Sequence, residues 1–163
     1  MNKEKFWEDL CSGKFLSMVK ESSRGRALKS SREAFCVFKP LFAKEDDVEK
    51  MYFIFMNQKN EIITVEDLFR GSIACSAVYP REVIKRIIQL KANAFVMAHN
   101  HPSGDPLPSN EDKKLTYRIL LAASSVDVRF HDHLIVGDSY FSMADEGIIK
   151  TMKSRLSNFL EGV

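Results

Sequence analysis

Strand-type and helix-type segments alternate along most of this chain, and that alternation constrains its fold more than any other feature. The aromatic and aliphatic run MYFIFMN, residues 51–57, passes through the polar turn 58–61 into a second strand-like run, IITVEDLF. A helix is predicted next, because apolar residues recur at helical spacing: Val83, Ile84, Ile87, Ile88 and Leu90. The strand AFVMA, residues 94–98, follows. Without repeats, this order predicts an α/β or α+β fold with one sheet.

The remaining segments complete the predicted order of elements. Apolar residues between 3 and 20 are interrupted by Ser12-Gly13, which indicates one or two short N-terminal helices. Ser30 and Glu33 resemble a capping box ahead of a helix over 31–43. Further helices are expected over 110–124 and 145–160, with strands LIVG and YFSM between them.

The composition shift near residue 30 suggests how the chain is organised. The stretch from Lys20 to Glu33 is polar and basic, so we interpret it as a linker or a solvated arm. We therefore expect a helical arm and linker over 1–30, a domain over 31–150 and a C-terminal helical extension over 151–163.

Composition narrows the class of protein. With 163 residues, 45% of them hydrophobic, the chain suits one compact domain. The start MNKEKFWEDL is charged, and no stretch approaches the roughly 20 apolar residues of a membrane span, so we expect a cytoplasmic, soluble protein without a membrane partner.

Cys11, Cys36 and Cys75 form no Cys-x-x-Cys pair and are expected to be buried, reduced thiols. The net charge of +2 leaves nucleic-acid binding undecided, and nothing indicates an oligomeric state.

The segment AHNHPSGDPLPSNED, residues 98–112, has the spacing of a metal site. Residues two apart on a strand point the same way, about 6.5 Å from each other, so His99 and His101 can converge on one ion while Asn100 points elsewhere. Two imidazoles and one carboxylate form the ligand set of a catalytic zinc site, and Asp112 is the natural third ligand. The alternative is structural: Ser109-x-x-Asp112 is a capping box beside packed histidines. Spacing alone leaves both open.

All four histidines fall in two His-x-His pairs, and the second pair, His131 and His133, stands in the segment HDHLIVG. This pair would be either a second metal site or part of a structural hydrogen bond between Asp132 and His133 beside the core. Of the two interpretations we favour the hydrogen bond.

From residue 31 to about 150 the chain resembles the bacterial RadC family, which belongs to the JAB/MPN (JAMM) metalloenzyme superfamily. The resemblance rests on LFRG at 68–71, YPREV at 79–83, the segment 98–112 and DHLIVGD at 132–138. The superfamily pattern is His-x-His, seven residues, then Ser-x-x-Asp, and it is met by His99, His101, Ser109 and Asp112. The resemblance implies a JAB/MPN-like fold with a single mixed sheet flanked by helices and cytidine-deaminase-like layering.

The resemblance also implies a zinc-dependent hydrolase that cleaves a peptide or isopeptide bond. Zinc held by His99, His101 and Asp112 would lower the pKa of its bound water from about 15.7 toward roughly 7. Ser109 would donate to the oxyanion with its proton pointing into the site, while its oxygen accepts a capping bond. The general base of the family is an upstream glutamate that opens an apolar strand, and here it matches Glu49. The following glutamates remain rivals: Glu45, Glu61, Glu66 and Glu82.

A nucleic-acid role is the main alternative to hydrolysis. It is suggested by the association of the family with DNA repair and by the basic arm from Lys20 to Arg32, and it would make DNA or a repair protein a partner. Full-length members also carry an N-terminal helix-hairpin-helix region, for which the residues before 31 are too few. An HNH nuclease needs a longer ββα unit, and a zinc deaminase needs His-x-Glu and Pro-Cys-x-x-Cys segments that do not occur. A third interpretation is a domain that binds metal without turnover.

Overall fold

A computed structural model describes residues 3–43, 48–69 and 78–162 of the chain. Within these ranges the elements run in the order α1 (Lys3–Cys11), α2 (Lys14–Ser23), α3 (Ser31–Phe42), β1 (Met51–Met56), β2 (Ile62–Asp67), α4 (Pro80–Leu90), β3 (Ala94–Asn100), α5 (Asn110–Ser124), β4 (Arg129–Val136), β5 (Tyr140–Ser142) and α6 (Ile148–Glu161). The helices and strands predicted from periodicity are confirmed, and most of their ends differ by a few residues at most; the strand predicted as LIVG is longer, since β4 begins at Arg129 and not at Leu134. The α+β class is confirmed as well.

The five strands form one mixed sheet in the order β2-β1-β3-β4-β5. Strands β3 and β4 are parallel neighbours, joined through α5, whereas the other adjacent pairs are antiparallel. A parallel pair needs a crossover connection, and α5 supplies it. In the antiparallel pair of β1 and β3, Met51 lies opposite His99, which fixes how the start of β1 approaches the end of β3.

Both faces of the sheet are covered, which explains why β1 is apolar at every position rather than at alternate ones. Met51, Phe53 and Phe55 pack in one core with residues of α4, α5 and α6. The residues between them pack in a second core with α3 on the opposite face: Tyr52, Ile54 and Met56. This helix–sheet–helix layering matches the expected JAB/MPN-like architecture.

Helix α2 and the stretch between α2 and α3 contact the sheet and its α3-side core. Ala27 forms an isolated bridge with Glu61, and the Lys20 ammonium lies 3.8 Å from the Asp67 carboxylate at the end of β2. Leu16, Val19 and Leu28 are partly buried against the α3-side core. The segment that was expected to be a linker is therefore packed along β2.

Two expectations from composition can be compared with the structure. Cys11 and Cys36 are exposed, so the prediction of buried thiols is wrong for both; Cys36 lies on the face of α3 opposite its buried residues. Cys75 lies outside the described residues. None of the helices in the described part of the chain combines the length and apolarity that crossing a bilayer requires.

Candidate metal centre

The end of β3 places His99 and His101 side by side. Phe95 and Met97 face the core that contains α5, and His99, two residues further along, continues on that face. His101 follows the strand, and its backbone N–H donates to the Val136 carbonyl at 2.8 Å, which holds it beside β4. The Nε2 atoms of His99 and His101 lie 3.0 Å apart. The two imidazoles thus converge as their spacing predicts.

The first turn of α5 brings Asp112 to the same point. Ser109 is the N-cap: its Oγ accepts from the Asp112 backbone N–H at 3.1 Å, and Asp112 Oδ2 accepts from the Ser109 N–H at 2.7 Å. Asp112 Oδ1 lies 3.2 Å from His99 Nε2, and Oδ2 lies 3.5 Å from His101 Nε2. The capping box is therefore present, and the same carboxylate faces both imidazoles. The structural and metal-binding interpretations of the segment are compatible.

The three side chains fit a metal ion. In a tetrahedral site with ligand bonds of about 2.0–2.1 Å, neighbouring ligand atoms are about 3.3 Å apart, and the separations observed here are 3.0, 3.2 and 3.5 Å. Two imidazole nitrogens and a carboxylate oxygen suit zinc and other first-row divalent ions. Among the residues that the structure describes, His99, His101 and Asp112 form the one group of three or more potential ligands gathered this closely.

The hydrogen bonds of His101 orient its ring. Its Nδ1 lies 2.8 Å from the Asp105 backbone carbonyl, which can only accept, so Nδ1 carries the proton. The Nε2 lone pair of neutral His101 then points at His99 and Asp112. Such a hydrogen bond from the second ring nitrogen is the usual companion of a metal-binding histidine.

The loop between His101 and Ser109 packs against the turn between β4 and β5. The Asp138 N–H donates to the Gly104 carbonyl at 2.9 Å, and Gly104 has a φ of 83°, which favours glycine. A Cβ at Gly137 would lie 2.2 Å from the same carbonyl oxygen. The backbone that carries His101 is therefore held by a close glycine-to-glycine contact.

Behind His99 lies the second histidine pair. His99 Nδ1 is 2.7 Å from His133 Nε2, and His133 Nδ1 is 2.6 Å from Thr116 Oγ1. Burial lowers the pKa of His133 well below 6.5, and the neighbouring His99 adds to this effect. His133 is therefore neutral in the folded protein around pH 7.

The structural interpretation of the second pair is confirmed. The His133 backbone N–H donates to Asp132 Oδ1 at 2.8 Å, and the same carboxylate accepts from the Ala144 N–H and the Ser142 hydroxyl. His131 lies 3.0 Å from Asn60 Oδ1 instead. In the described residues this pair does not form a group of potential metal ligands. The side chain of His133 nevertheless belongs to the surroundings of the metal centre.

The hydroxyl proton of Ser109 is not directed into open space. Ser109 Oγ donates to Asp112 Oδ2 at 2.6 Å while it accepts the capping bond from the Asp112 N–H. A carboxylate is the strongest acceptor within reach, which explains this orientation. The capping bond matches the expectation, whereas the proton points to Asp112.

Glu49 precedes β1 and is not part of the group formed by His99, His101 and Asp112. Its two neighbours in the chain are fixed by Asn100. Asn100 Oδ1 accepts from the Lys50 N–H at 2.7 Å, and Nδ2 donates to the Val48 carbonyl at 3.1 Å.

The rival glutamates have other partners. Glu66 makes a two-bond pair with Arg86, at 2.7 and 2.6 Å. Glu61 accepts from Asn57 Nδ2 at the β1–β2 turn, and Glu82 lies beside Arg81. Glu45, like part of the LFRG segment, lies outside the described residues.

Sequence reasoning did not connect three residues with this centre: Asn100, Thr116 and His133. Asn100 was expected only to point away from the metal site, and its side chain bonds instead to the backbone at Val48 and Lys50. Thr116 lies one helical turn after Asp112, so a signal for it existed in the i, i+4 spacing. His133 could be connected to His99 only through the pairing of β3 with β4, which no local pattern reveals.

Comparison with known proteins shows which sequences this chain resembles. A family model described as a RadC-like JAB domain matches residues 28–148. The chain is 46% identical over 102 residues to the UPF0758 protein YfjY of Escherichia coli K12, covering 62% of this chain and 64% of that protein. It is 39% identical over 132 residues to a UPF0758 protein of Thiobacillus denitrificans, covering 80% of this chain and 58% of that protein. The chain thus spans about three fifths of the length of these relatives.

Proposed function

Because the chain belongs to the RadC-like JAB domain family, we propose that it is a zinc-dependent hydrolase of JAMM type that cleaves a peptide or isopeptide amide bond. The observation that carries the proposal is the meeting of His99 Nε2, His101 Nε2 and the Asp112 carboxylate within 4.8 Å of one another. Catalytic zinc sites use three protein ligands, whereas structural sites use four.

His99, His101 and Asp112 would hold the ion. Bound Zn²⁺ would supply a Lewis acid that polarises the substrate carbonyl and acidifies water. The exposure of the ligands indicates the side from which a substrate arrives, because the His101 side chain is 15% exposed whereas those of His99 and Asp112 are 2% and 1% exposed. A cleft of about 180 Å³ opens beside His101, and its lining includes Lys39, Phe42, Asn100, Gly137 and Asp138.

Glu49 would act as the general base that takes a proton from the attacking water and passes it to the departing amine. The register supports this role: Met51 lies opposite His99, and the same antiparallel register continued by two residues would bring Glu49 opposite His101. Residues two apart share a face, so Glu49 would face the same side as the ligands. Asn100, bonded to the residues on either side of Glu49, would hold this stretch of backbone in place.

Ser109 would stabilise the oxyanion formed when the amide carbonyl is attacked. Its proton is donated to Asp112 Oδ2 in the structure, so the hydroxyl would turn toward the substrate oxygen during the reaction. Such a rotation changes one side-chain torsion and leaves the Ser109 oxygen able to accept the capping bond.

Metal content provides the first test. Protein purified without chelator should contain about one zinc per chain, whereas His101→Ala and Asp112→Ala should contain none, since each loses one of three ligands. Glu49→Gln should retain zinc and lose hydrolysis of a panel of peptide and isopeptide substrates. A parent protein that takes up no zinc even when the ion is added back would refute the metal site, and a fully active Glu49→Gln variant would refute the assigned base.

A DNA-associated role, in which the domain acts as a binding module, is the second candidate. It is favoured by the exposure of four basic residues on or beside the stretch before α3: Arg24, Arg26, Lys29 and Arg32. Binding through phosphate contacts would weaken steeply as salt is raised. Replacing the four by glutamine should abolish such binding without changing zinc content, and no binding at low salt would eliminate this candidate.

A further inference from the structure

Four buried groups behind the metal centre form a continuous chain of hydrogen bonds. His99 Nδ1 meets His133 Nε2 at 2.7 Å, His133 Nδ1 meets Thr116 Oγ1 at 2.6 Å, and Thr116 Oγ1 meets the Asp112 backbone carbonyl at 2.6 Å. All four residues are at most 2% exposed. Because water has little access to them, the direction of each hydrogen bond is set by the protein itself.

We infer that Thr116 and His133 are positioning residues that fix the ring proton of His99 on Nδ1 and thereby aim its Nε2 lone pair at the metal position. This inference rests on the proposed metal site and deepens it, since it assigns a task to two residues outside the ligand set.

The direction of these four-residue hydrogen bonds follows from which atoms can donate a proton. A backbone carbonyl only accepts, and two oxygens 2.6 Å apart need a proton between them, so the Thr116 hydroxyl donates to the Asp112 carbonyl. Thr116 then offers only a lone pair to His133, so His133 carries its proton on Nδ1. With its one ring proton on Nδ1, His133 accepts at Nε2, and the donor is the Nδ1–H of His99.

The position of this proton determines what the other nitrogen of the His99 ring, Nε2, can do. His99 with its one ring proton on Nδ1 presents a lone pair at Nε2, toward Asp112 Oδ1 at 3.2 Å and His101 Nε2 at 3.0 Å. The Asp105 carbonyl fixes His101 in the same way. Three acceptor atoms therefore face one another, which is the arrangement that a cation stabilises. With the opposite direction of hydrogen bonding, the proton on His99 Nε2 would occupy the ion's position.

Thr116→Val tests the inference, because valine keeps the shape of threonine but provides no acceptor for His133 Nδ1–H. We expect the affinity for Zn²⁺ to fall about 10–100-fold, the usual effect of losing an outer hydrogen-bond partner of a metal ligand. Thr116→Ser retains the hydroxyl and should restore affinity close to that of the parent. Thr151→Val is the matched control: Thr151 makes the same bond to a carbonyl four residues earlier, that of Gly147, and has no hydrogen bond to a histidine among the described contacts. Affinity is measured by competition with a chromophoric chelator.

A second measurement does not depend on the variants folding. Nitrogen-15 NMR of the metal-free parent at mildly alkaline pH reports which ring nitrogen of His133 carries the proton, and we expect Nδ1. Protonation at His133 Nε2, or a Thr116→Val protein that binds zinc as tightly as the parent, would overturn the inference. A parent protein that binds no zinc would instead refute the proposed function, and the NMR result would still decide the direction of the hydrogen bonds.

Discussion

Asp112 serves both the start of α5 and the metal centre, and suitable substitutions can separate the two tasks. Its Oδ2 accepts from the Ser109 N–H at 2.7 Å and from the Ser109 hydroxyl, while its Oδ1 faces His99 at 3.2 Å. Asp112→Ala removes the ligand and the bond from the Ser109 N–H, while the Ser109 hydroxyl can still cap the backbone N–H of residue 112. Asp112→Asn keeps an oxygen for the Ser109 N–H, but it replaces a charged ligand with a neutral amide whose nitrogen can donate to the His99 lone pair.

The expected magnitudes follow from binding to the folded state alone. Zinc at one hundred times its Kd adds about 2.7 kcal/mol to the free energy of unfolding. For a chain of this length each kcal/mol raises Tm by roughly 2–4 °C, so zinc should raise the parent's Tm by roughly 5–11 °C. Losing the bond that Asp112 accepts from the Ser109 N–H costs about 1 kcal/mol, which lowers the Tm of metal-free Asp112→Ala by roughly 2–4 °C. Asp112→Asn should retain the parent's metal-free Tm more closely.

Thermal unfolding followed by circular dichroism, with zinc and with chelator, measures both effects. We expect neither Asp112 variant to show the zinc-dependent rise in Tm. Glu111→Ala is the matched control, because Glu111 lies in the same helical turn, is exposed and pairs only with Lys114 among the contacts described. An Asp112→Asn protein with the parent's full zinc-dependent rise would show that the carboxylate is not a ligand and would refute the reasoning.

Three further predictions concern the surroundings of the centre. Burial lowers the pKa of His131 below 6.5, so the contribution of the neutral ring to the free energy of unfolding is complete above pH 6.5 and is lost as pH falls through the lowered pKa. In urea unfolding, His131→Gln should therefore lose less stability on acidification than the parent protein. Gly137→Ala would force a Cβ against the Gly104 carbonyl, so it should lower the free energy of unfolding by about 1–3 kcal/mol and weaken zinc binding. Gly162→Ala is the control: a Cβ there would be 3.4 Å from its nearest neighbouring atom, so zinc binding should not change. Asp132→Ala leaves three donors without their acceptor, in two buried hydrogen bonds and one partly buried one, and should cost about 3 kcal/mol or more, measured by chemical unfolding. Asp132→Asn should cost less, because burial already raises the pKa of the carboxyl.

Local patterns were sufficient to predict the elements and the proposed ligands. A period of two in β3 puts His99 and His101 on one side, and the capping-box spacing puts Asp112 at the start of the next helix. These relations depend on residues within about a dozen positions of one another, so backbone geometry alone conveys them.

Relations set by tertiary packing could not be predicted in this way. His133 reaches His99 only because β4 pairs with β3 in parallel, and Asn100 fixes the backbone beside Glu49 only because β1 lies on the other side of β3. The exposure of Cys36 was missed for a similar reason, since the face of α3 that packs on the sheet decides it.

The contacts of the metal centre form a closed ring of four residues: His99 contacts His133, His133 contacts Thr116, Thr116 contacts Asp112, and Asp112 contacts His99. This ring joins β3, β4 and α5, so none of these elements can separate locally from the others without breaking it. Local opening of α5 and release of the ion should therefore be one event. Amide hydrogen exchange in β4, which supplies no ligand of its own, should slow when zinc binds.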